Sequence, residues 1–331
     1  MQPLTPLRAA IIGGGWIARR HGPAIDAVDD VELVAACDAE LARAEAIALP
    51  RGGRAYQRWE DLLEREELDV LWVCTPPLAH SAPTVAALER GIHVFLEKPI
   101  ARTMPDAEAI VGSASASAAI CAVGYQWHAT ELLDDLREAV AGQSIGLLVG
   151  RNFGPVAARP WFMDPAQGGG QILERGSHHI DIQRAIAGEI ASVQAIGGSV
   201  PLAQTGEASR GIDDASLLVF HFRNGALGTV HMAWTRDAQP ELYALDVIAS
   251  EATISIEFDP VFRLQGTSRD RRLDVARSDP FQRSIARFLE AARTGDRAHV
   301  FCAPADAKQT LAVAVACEQA LADGGVVEVS E

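Results

Sequence analysis

Lysine is almost missing from this chain of 331 residues: among 29 basic side chains only Lys98 and Lys308 are lysines. The rest of the positive charge is arginine, scattered rather than clustered, under a formal net charge of −15. That balance argues against a nucleic-acid partner and against an anionic membrane surface. Cysteine is scarce too. Cys37, Cys74, Cys121, Cys302 and Cys317 are odd in number, far apart and mostly set in apolar runs, which excludes a disulfide framework and a Cys-x-x-Cys metal site and fits a reducing cytoplasm. No apolar run approaches the length of a transmembrane helix, and residues 1–8 read as neither a signal peptide nor an anchor. What remains is 48% hydrophobic and 22% charged, an ordinary globular composition long enough for two domains.

Against that background one lysine stands out. Ile92, Val94, Phe95 and Leu96 form a short apolar run that ends in Glu97-Lys98-Pro99. A parallel strand covered on both faces is such a run, and the carboxyl ends of strands in open α/β sheets line the ligand crevice. An ammonium is a compact donor with adjustable protonation, unlike a guanidinium, so a lysine at a strand exit points to ammonium chemistry.

The segments before it alternate strand and helix. Ala9 to Ile12 is followed by Gly13-Gly14-Gly15-Trp16-Ile17-Ala18, a G-x-G-x-x-A turn that would rest a pyrophosphate on a helix N-terminus. Gly22-Pro23 is expected to interrupt that helix. A second strand, Glu32 to Cys37, ends in Asp38, placed to hold ribose hydroxyls and to repel the extra phosphate of NADP, which favours NAD; Arg43 on the next helix could soften that selectivity. Tyr56 to Glu67 reads as a helix and Val70 to Cys74 as a strand closing in Thr75-Pro76-Pro77, a rigid turn suited to a cofactor floor. His80 and Ser81 open the next helix, and the strand Ala119 to Val123 ends at Gly124. The expectation is α/β, with a Rossmann-type doubly wound parallel sheet over residues 1–124.

Residues 125–331 change rhythm: a helix from Glu131 to Ala141, then alternating runs at 147–153, 193–197, 216–222, 227–234, 243–249 and 253–258, with Asn224-Gly225 as a hairpin signal. This half is expected to be α+β with a mostly antiparallel open sheet. On a helix opened by Gly168-Gly169-Gly170 and running to Ala187, Glu174, His178 and Asp181 stand at i, i+4 and i+7, within an arc of roughly 60° at 100° per residue. An imidazole between carboxylates is equipped to move a proton near neutral pH. His179 points about 100° away and is given no chemistry. The same residues have ligand chemistry, but no further cluster completes a metal site, and no G-x-S-x-G elbow supports a serine hydrolase.

Taken together, the glycine turn, Cys37-Asp38, the segment from Thr75 to His80, the segment from Gly91 to Pro99, and Gly168-Gly169-Gly170 leading to Gly176-Ser177-His178-His179-Ile180-Asp181 resemble the glucose-fructose oxidoreductase/inositol dehydrogenase (Gfo/Idh/MocA) family. The resemblance runs almost end to end. It implies hydride transfer between a nicotinamide and a hydroxyl-bearing carbon of a sugar or cyclic polyol, and a homo-dimer or homo-tetramer assembled through the open sheet. Residue by residue it implies that Lys98 contacts the reacting hydroxyl, that Glu97 supports it and that His178 is the acid/base. Glu174 stands where many members carry aspartate. Gly13, Gly15, Trp16, Ile17, Asp38, Thr75, Pro76, His80, Glu97, Lys98 and Gln126 are the expected cofactor contacts. Lys98, Trp127, Trp161, Glu174 and His178 are expected at the substrate, Trp127 as a stacking wall where many relatives have arginine. The family also contains NAD-using redox-neutral glycosidases, and a non-catalytic NAD- or sugar-responsive binding protein is the third reading.

Overall fold

Short strands whose side chains are covered on both faces pair into a parallel sheet flanked by helices, and the first part of the chain supplies six of them. The computed structural model describes residues 5–156, 160–164, 166–199, 212–235, 241–259 and 261–330. In chain order it runs β1 (Leu7–Ile12), α1 (Trp16–Asp26), β2 (Val31–Cys37), α2 (Leu41–Ala48), β3 (Arg54–Tyr56), α3 (Trp59–Arg65), β4 (Val70–Val73), α4 (Ser81–Glu89), β5 (His93–Leu96), α5 (Met104–Ala116) and β6 (Cys121–Val123). The strands lie in the order β3-β2-β1-β4-β5-β6 and every pair is parallel. This is the doubly wound arrangement, with its switch point between β1 and β4.

Two local expectations need correction. Helix α1 continues through Gly22-Pro23; a proline there removes one N–H, and the helix closes beyond it with Ala27 N donating to Pro23 O at 3.2 Å. Tyr56 does not begin a helix but ends edge strand β3, where Tyr56 Oη and Arg54 Nε both donate to Glu66 Oε1 at 2.6 Å.

The second sheet has nine strands. After α6 (Glu131–Ala139) come β7 (Ile145–Pro155), a π-helical turn (Ile172–Gly176) running into α7 (Ser177–Ala187), then β8 (Ile190–Gly198), β9 (Ala215–Phe222), β10 (Leu227–Thr235), β11 (Leu242–Ala249), β12 (Ala252–Asp259), β13 (Arg263–Ser268) and β14 (Arg271–Ala276). With β15 (Val327–Glu328) the order is β14-β13-β12-β11-β7-β10-β9-β8-β15. Only β7 and β10 pair in parallel. Alternating burial along β9, β10 and β12 marks one face turned to a core. The Asn224-Gly225 turn joins β9 to β10: Gly225 has φ +90°, and Asn224 Oδ1 accepts from Ala226 N at 3.1 Å. Strands β13 to β15 carry too few apolar residues for the alternation to show in the sequence.

The chain divides into two units, residues 1–125 with 281–308 and residues 126–280 with 309–331. A single division at 124 therefore misses a return, and α8 (Phe281–Thr294) explains it. Its apolar face carries Phe281, Ile285, Phe288 and Leu289. Phe288 meets Trp72 and Phe95 edge-on at 5.5 and 5.6 Å, so the helix completes the core of the first unit. The last helix, α9 (Pro304–Asp323), belongs to the stretch Arg297–Asp323, which by length and composition alone could cross a membrane. The sequence also reads as a closing helix from Pro304 to Leu321; only the expectation that no run approaches transmembrane length is corrected by this stretch, and most of its apolar window is buried inside the fold.

Phe288→Ala should cost about 3–5 kcal/mol, because a fully buried aromatic leaves a cavity between two rings that cannot follow it. Urea unfolding of the purified protein measures the loss.

Candidate functional site

The carboxyl ends of β1, β2, β4 and β5 carry the first group of functional side chains. Gly13 follows β1 with φ +95°, and a Cβ there would lie 2.6 Å from the Cys74 carbonyl carbon, so the turn can pass β4 only with glycine. Gly15 is different: a Cβ on it would meet nothing within 4 Å. Gly15 precedes α1 and gives it no side-chain cap, and a helix N-terminus of this kind suits an anion. Trp16 is 59% exposed beside them and Ile17 half-buried. Asp38 is half-buried at the exit of β2. Its Oδ2 accepts from Gly14 N at 2.7 Å and its Oδ1 from Glu40 N at 2.9 Å. Two backbone donors orient the carboxylate and leave lone pairs for hydroxyl groups. Arg43 reaches Glu40 at 2.8 Å.

Beyond β4, Thr75 and Pro76 are half-buried, and Thr75 Oγ1 donates to Ala79 O at 3.1 Å. His80 is fully buried. Its Nε2 lies 2.7 Å from Thr75 O, and its Nδ1 2.9 Å from Pro99 O. Burial lowers the imidazole pKa, with the surrounding carbonyls and the Glu97 charge pulling the other way. His80 has both nitrogens turned to backbone and ties the exit of β4 to the exit of β5.

Lys98 is half-buried and Glu97 is buried. Glu97 Oε2 accepts from Lys98 N at 3.1 Å, and Glu97 Oε1 accepts from His21 Nε2 at 2.7 Å. Burial alone would raise this carboxyl; the His21 hydrogen bond and the charges of His21 and Lys98 outweigh it and hold the pKa below the ordinary glutamate range. Gly124 keeps the space open, since a Cβ there would stand 3.2 Å from Glu97 Oε2.

The second group lies in the second unit. The 3-10 turn Gln126–Ala129 presents half-buried Gln126 and buried Trp127. Trp127 stacks on Phe258 with centroids 4.3 Å apart, meets Tyr243 edge-on at 5.4 Å and lies 4.9 Å from the His178 ring. At 3% exposure it is packing behind His178 rather than an open stacking wall. His178 is half-buried, Glu174 buried, and Tyr243 lies 6.1 Å from His178. Burial, with Arg175 opposing and Glu241 and Glu174 adding, pushes the Tyr243 phenol well above its ordinary pKa. Arg175 donates to Pro155 O at 2.8 Å and pairs with Glu241 at 3.0 Å.

Asp181 does not join Glu174 and His178 in the expected row. Residues 172–176 are π-helical, so the 100° step assumed for a regular helix fails across Glu174. Asp181 is 1% exposed and turned away: its Oδ2 lies 2.7 Å from His128 Nε2, and its Oδ1 accepts from Thr310 Oγ1 at 3.1 Å. Arg184 in turn donates to Thr310 Oγ1 at 2.7 Å. His179 is fully buried and its pKa is pushed down to about 3 by burial. Trp161 is half-buried against the cluster of Phe162, Ile212 and Trp234; residues 157–159 and 165 of its loop lie outside the described residues. His21, Arg175, Glu241 and Tyr243 were missed by sequence reasoning. His21 sits in a helix and Tyr243 in a strand, and no spacing links either to its partner.

The architecture and the sites can now be set beside known proteins. A family model described as "Oxidoreductase family, NAD-binding Rossmann fold" matches residues 7–125, and one described as "GFO/IDH/MocA C-terminal domain" matches residues 136–255. The chain is similar to the D-glucoside 3-dehydrogenase of Escherichia coli (strain K12), 32% identical over 245 residues, 67% of this chain and 69% of that protein. It is also similar to the myo-inositol 2-dehydrogenase of Thermotoga maritima, 28% identical over 234 residues, 68% of this chain and 67% of that protein. A solved structure of levoglucosan dehydrogenase in complex with NADH shares the fold, with a TM-score of 0.84 at 20% identity over 98% of this chain and 100% of that one.

The two glycines should separate by experiment. Gly13→Ala is strained and should lose about 1–3 kcal/mol of stability by urea unfolding, whereas Gly15→Ala should keep its melting temperature and weaken NAD binding by about 1.4 kcal/mol, tenfold, in fluorescence titration. Glu97 gives a pH test. Its folded pKa is depressed, so its contribution to stability is whole above the unfolded value of about 4.3 and is lost as pH falls through the folded value. The stability difference between wild type and Glu97→Gln should therefore shrink on acidification below that point.

Proposed function

The chain belongs to the Gfo/Idh/MocA family of oxidoreductases, whose first domain is an NAD-binding Rossmann fold, and from that premise we propose that it transfers a hydride between NAD and a hydroxyl-bearing carbon of a sugar or cyclic polyol. The observation that carries this reading is Lys98 at the exit of β5, its backbone N–H bonded to the buried Glu97 carboxylate, in the same row of strand ends as the open Gly15 turn. The uncapped start of α1 and the space at Gly15 fit a pyrophosphate, and Asp38 fits the ribose hydroxyls. The Asp38 carboxylate, which repels a ribose phosphate, and the pairing of Arg43 with Glu40 support NAD over NADP.

Bound NAD supplies the hydride acceptor. His178 takes the hydroxyl proton at Nε2, because its Nδ1 edge is buried, and Trp127 and Tyr243 hold its ring. Lys98 stabilises the charge that develops on the substrate oxygen. Glu174, close enough to act on the Tyr243 phenol, shapes the substrate side of the second unit. Five free, buried cysteines support a reducing, cytoplasmic setting, and exposed Phe153, Ile196 and Leu227 on β7, β8 and β10 support association of two or four copies through the second sheet.

Nicotinamide absorbance on purified protein, with NAD or NADP against inositols, aldoses, glycosides and anhydrosugars, tests the proposal. NADH should accumulate with one substrate class, His178→Ala should lose about 10²–10⁴ in rate, and Lys98→Arg should lose turnover while still binding NAD. Unchanged turnover in either variant removes that residue from the chemistry, and glycoside cleavage without NADH accumulation replaces the reading by the redox-neutral one.

A further inference from the structure

His21 has no role in the scheme so far, yet it is a fully buried polar side chain in direct contact with the support of Lys98. Its ring packs among Phe281 at 4.7 Å, Phe95 at 5.1 Å and Trp72 at 6.5 Å. Nε2 is 2.7 Å from Glu97 Oε1, whereas Nδ1 is buried with no hydrogen-bond partner among the described residues. A carboxylate can only accept, so the Nε2 proton is donated to it. Phe95 and Phe281 carry no polar side-chain atom, and Trp72 Nε1, though buried, makes no hydrogen bond to Glu97. The titratable groups acting on it are His21 from α1, Lys98 beside it, Cys74 at the exit of β4 and His80 at the start of α4. The Cys74 thiol is held well above its ordinary pKa by burial, and His80 has both nitrogens against backbone carbonyls. His21 is therefore the side-chain donor that the described residues supply to the outer oxygen.

We propose that His21 is a positioning residue for Lys98: by donating to Glu97 Oε1 it keeps this buried carboxylate charged and its other oxygen turned to the Lys98 backbone, so that the ammonium is presented over a compensating charge. The proposal rests on Lys98 acting as described under the proposed function. A carboxylate in an apolar pocket without that donor takes up a proton or swings away, and either event changes what Lys98 carries to the substrate.

The scarcity of lysine makes the test direct. Protein labelled with 13C-lysine gives two side-chain signals, from Lys98 and Lys308, assigned by Lys308→Arg. The Lys98 Cε shift feels the charge on Glu97, so its acid-side inflection reports the ionisation of Glu97, and Lys308 is the internal control. Because this needs neither NAD nor a substrate, its failure is distinguishable from failure of the oxidoreductase reading. In His21→Phe and His21→Met, which fill the pocket without donating, the inflection should move to higher pH by about one unit or more; in His21→Gln, which keeps a donor, it should stay near the wild-type position. On a turned-over substrate the non-donating variants should lose about 10- to 100-fold in kcat with NAD affinity unchanged. An inflection that coincides with wild type in either folded non-donating variant, even with a lowered melting temperature, would reduce His21 to a packing role and overturn the proposal.

Discussion

A carboxylate with 7% exposure needs donors, because burying an unpaired charge costs several kcal/mol. Much of the first unit is arranged around that demand at Glu97. Helix α1 brings His21 to one oxygen, the chain leaving β5 turns its own N–H to the other, and Gly124 leaves room for both. Helix α8 then closes the side, with Phe281 on the His21 ring and Phe288 on Trp72 and Phe95. The return of residues 281–308 to the first unit is thus more than a matter of core volume. It also covers the buried His21–Glu97 pair.

The second unit solves a different problem, that of keeping an imidazole in place at a partly exposed position. Trp127 is held by stacking on Phe258, and its indole backs His178, while Tyr243 stands edge-on to both. Asp181, which looked like part of the chemistry, serves the support instead. Linked to His128, Thr310 and through it Arg184, it binds the turn that carries Trp127 to α7 and α9.

Legibility from sequence followed the range of the interaction. The parallel sheet, the glycine turn and the strand-exit carboxylates could be read, because each is encoded within about ten residues by apolar runs and the turn chemistry of glycine and proline. Asp38 was read for the same reason. His21 and Glu97 are 76 positions apart, and Tyr243 meets His178 only after β11 has paired with β7; such contacts have no local pattern. The bonds of His80 to Thr75 O and Pro99 O could not be read either, because they form only when the exits of β4 and β5 are brought together. Asp181 left the expected row because His128 and Thr310, far off in sequence, claim its carboxylate.

The π-helical pitch of residues 172–176 bears on which insertions and deletions the chain can accept. Helix α7 is anchored downstream by Gln183 on Thr229 O at 3.0 Å and by Asp181 on Thr310, so a residue lost from 172–176 would have to be absorbed upstream. Ordinary α-pitch would return, and Glu174 and Arg175 would each turn by about 100° relative to His178. Glu174 would leave the neighbourhood of Tyr243, and Arg175 would part from Glu241 and the Pro155 carbonyl. The length of this five-residue turn is therefore as much a part of the site as the side chains on it, and aligned chains that differ here by one residue differ in geometry even where every named residue is kept.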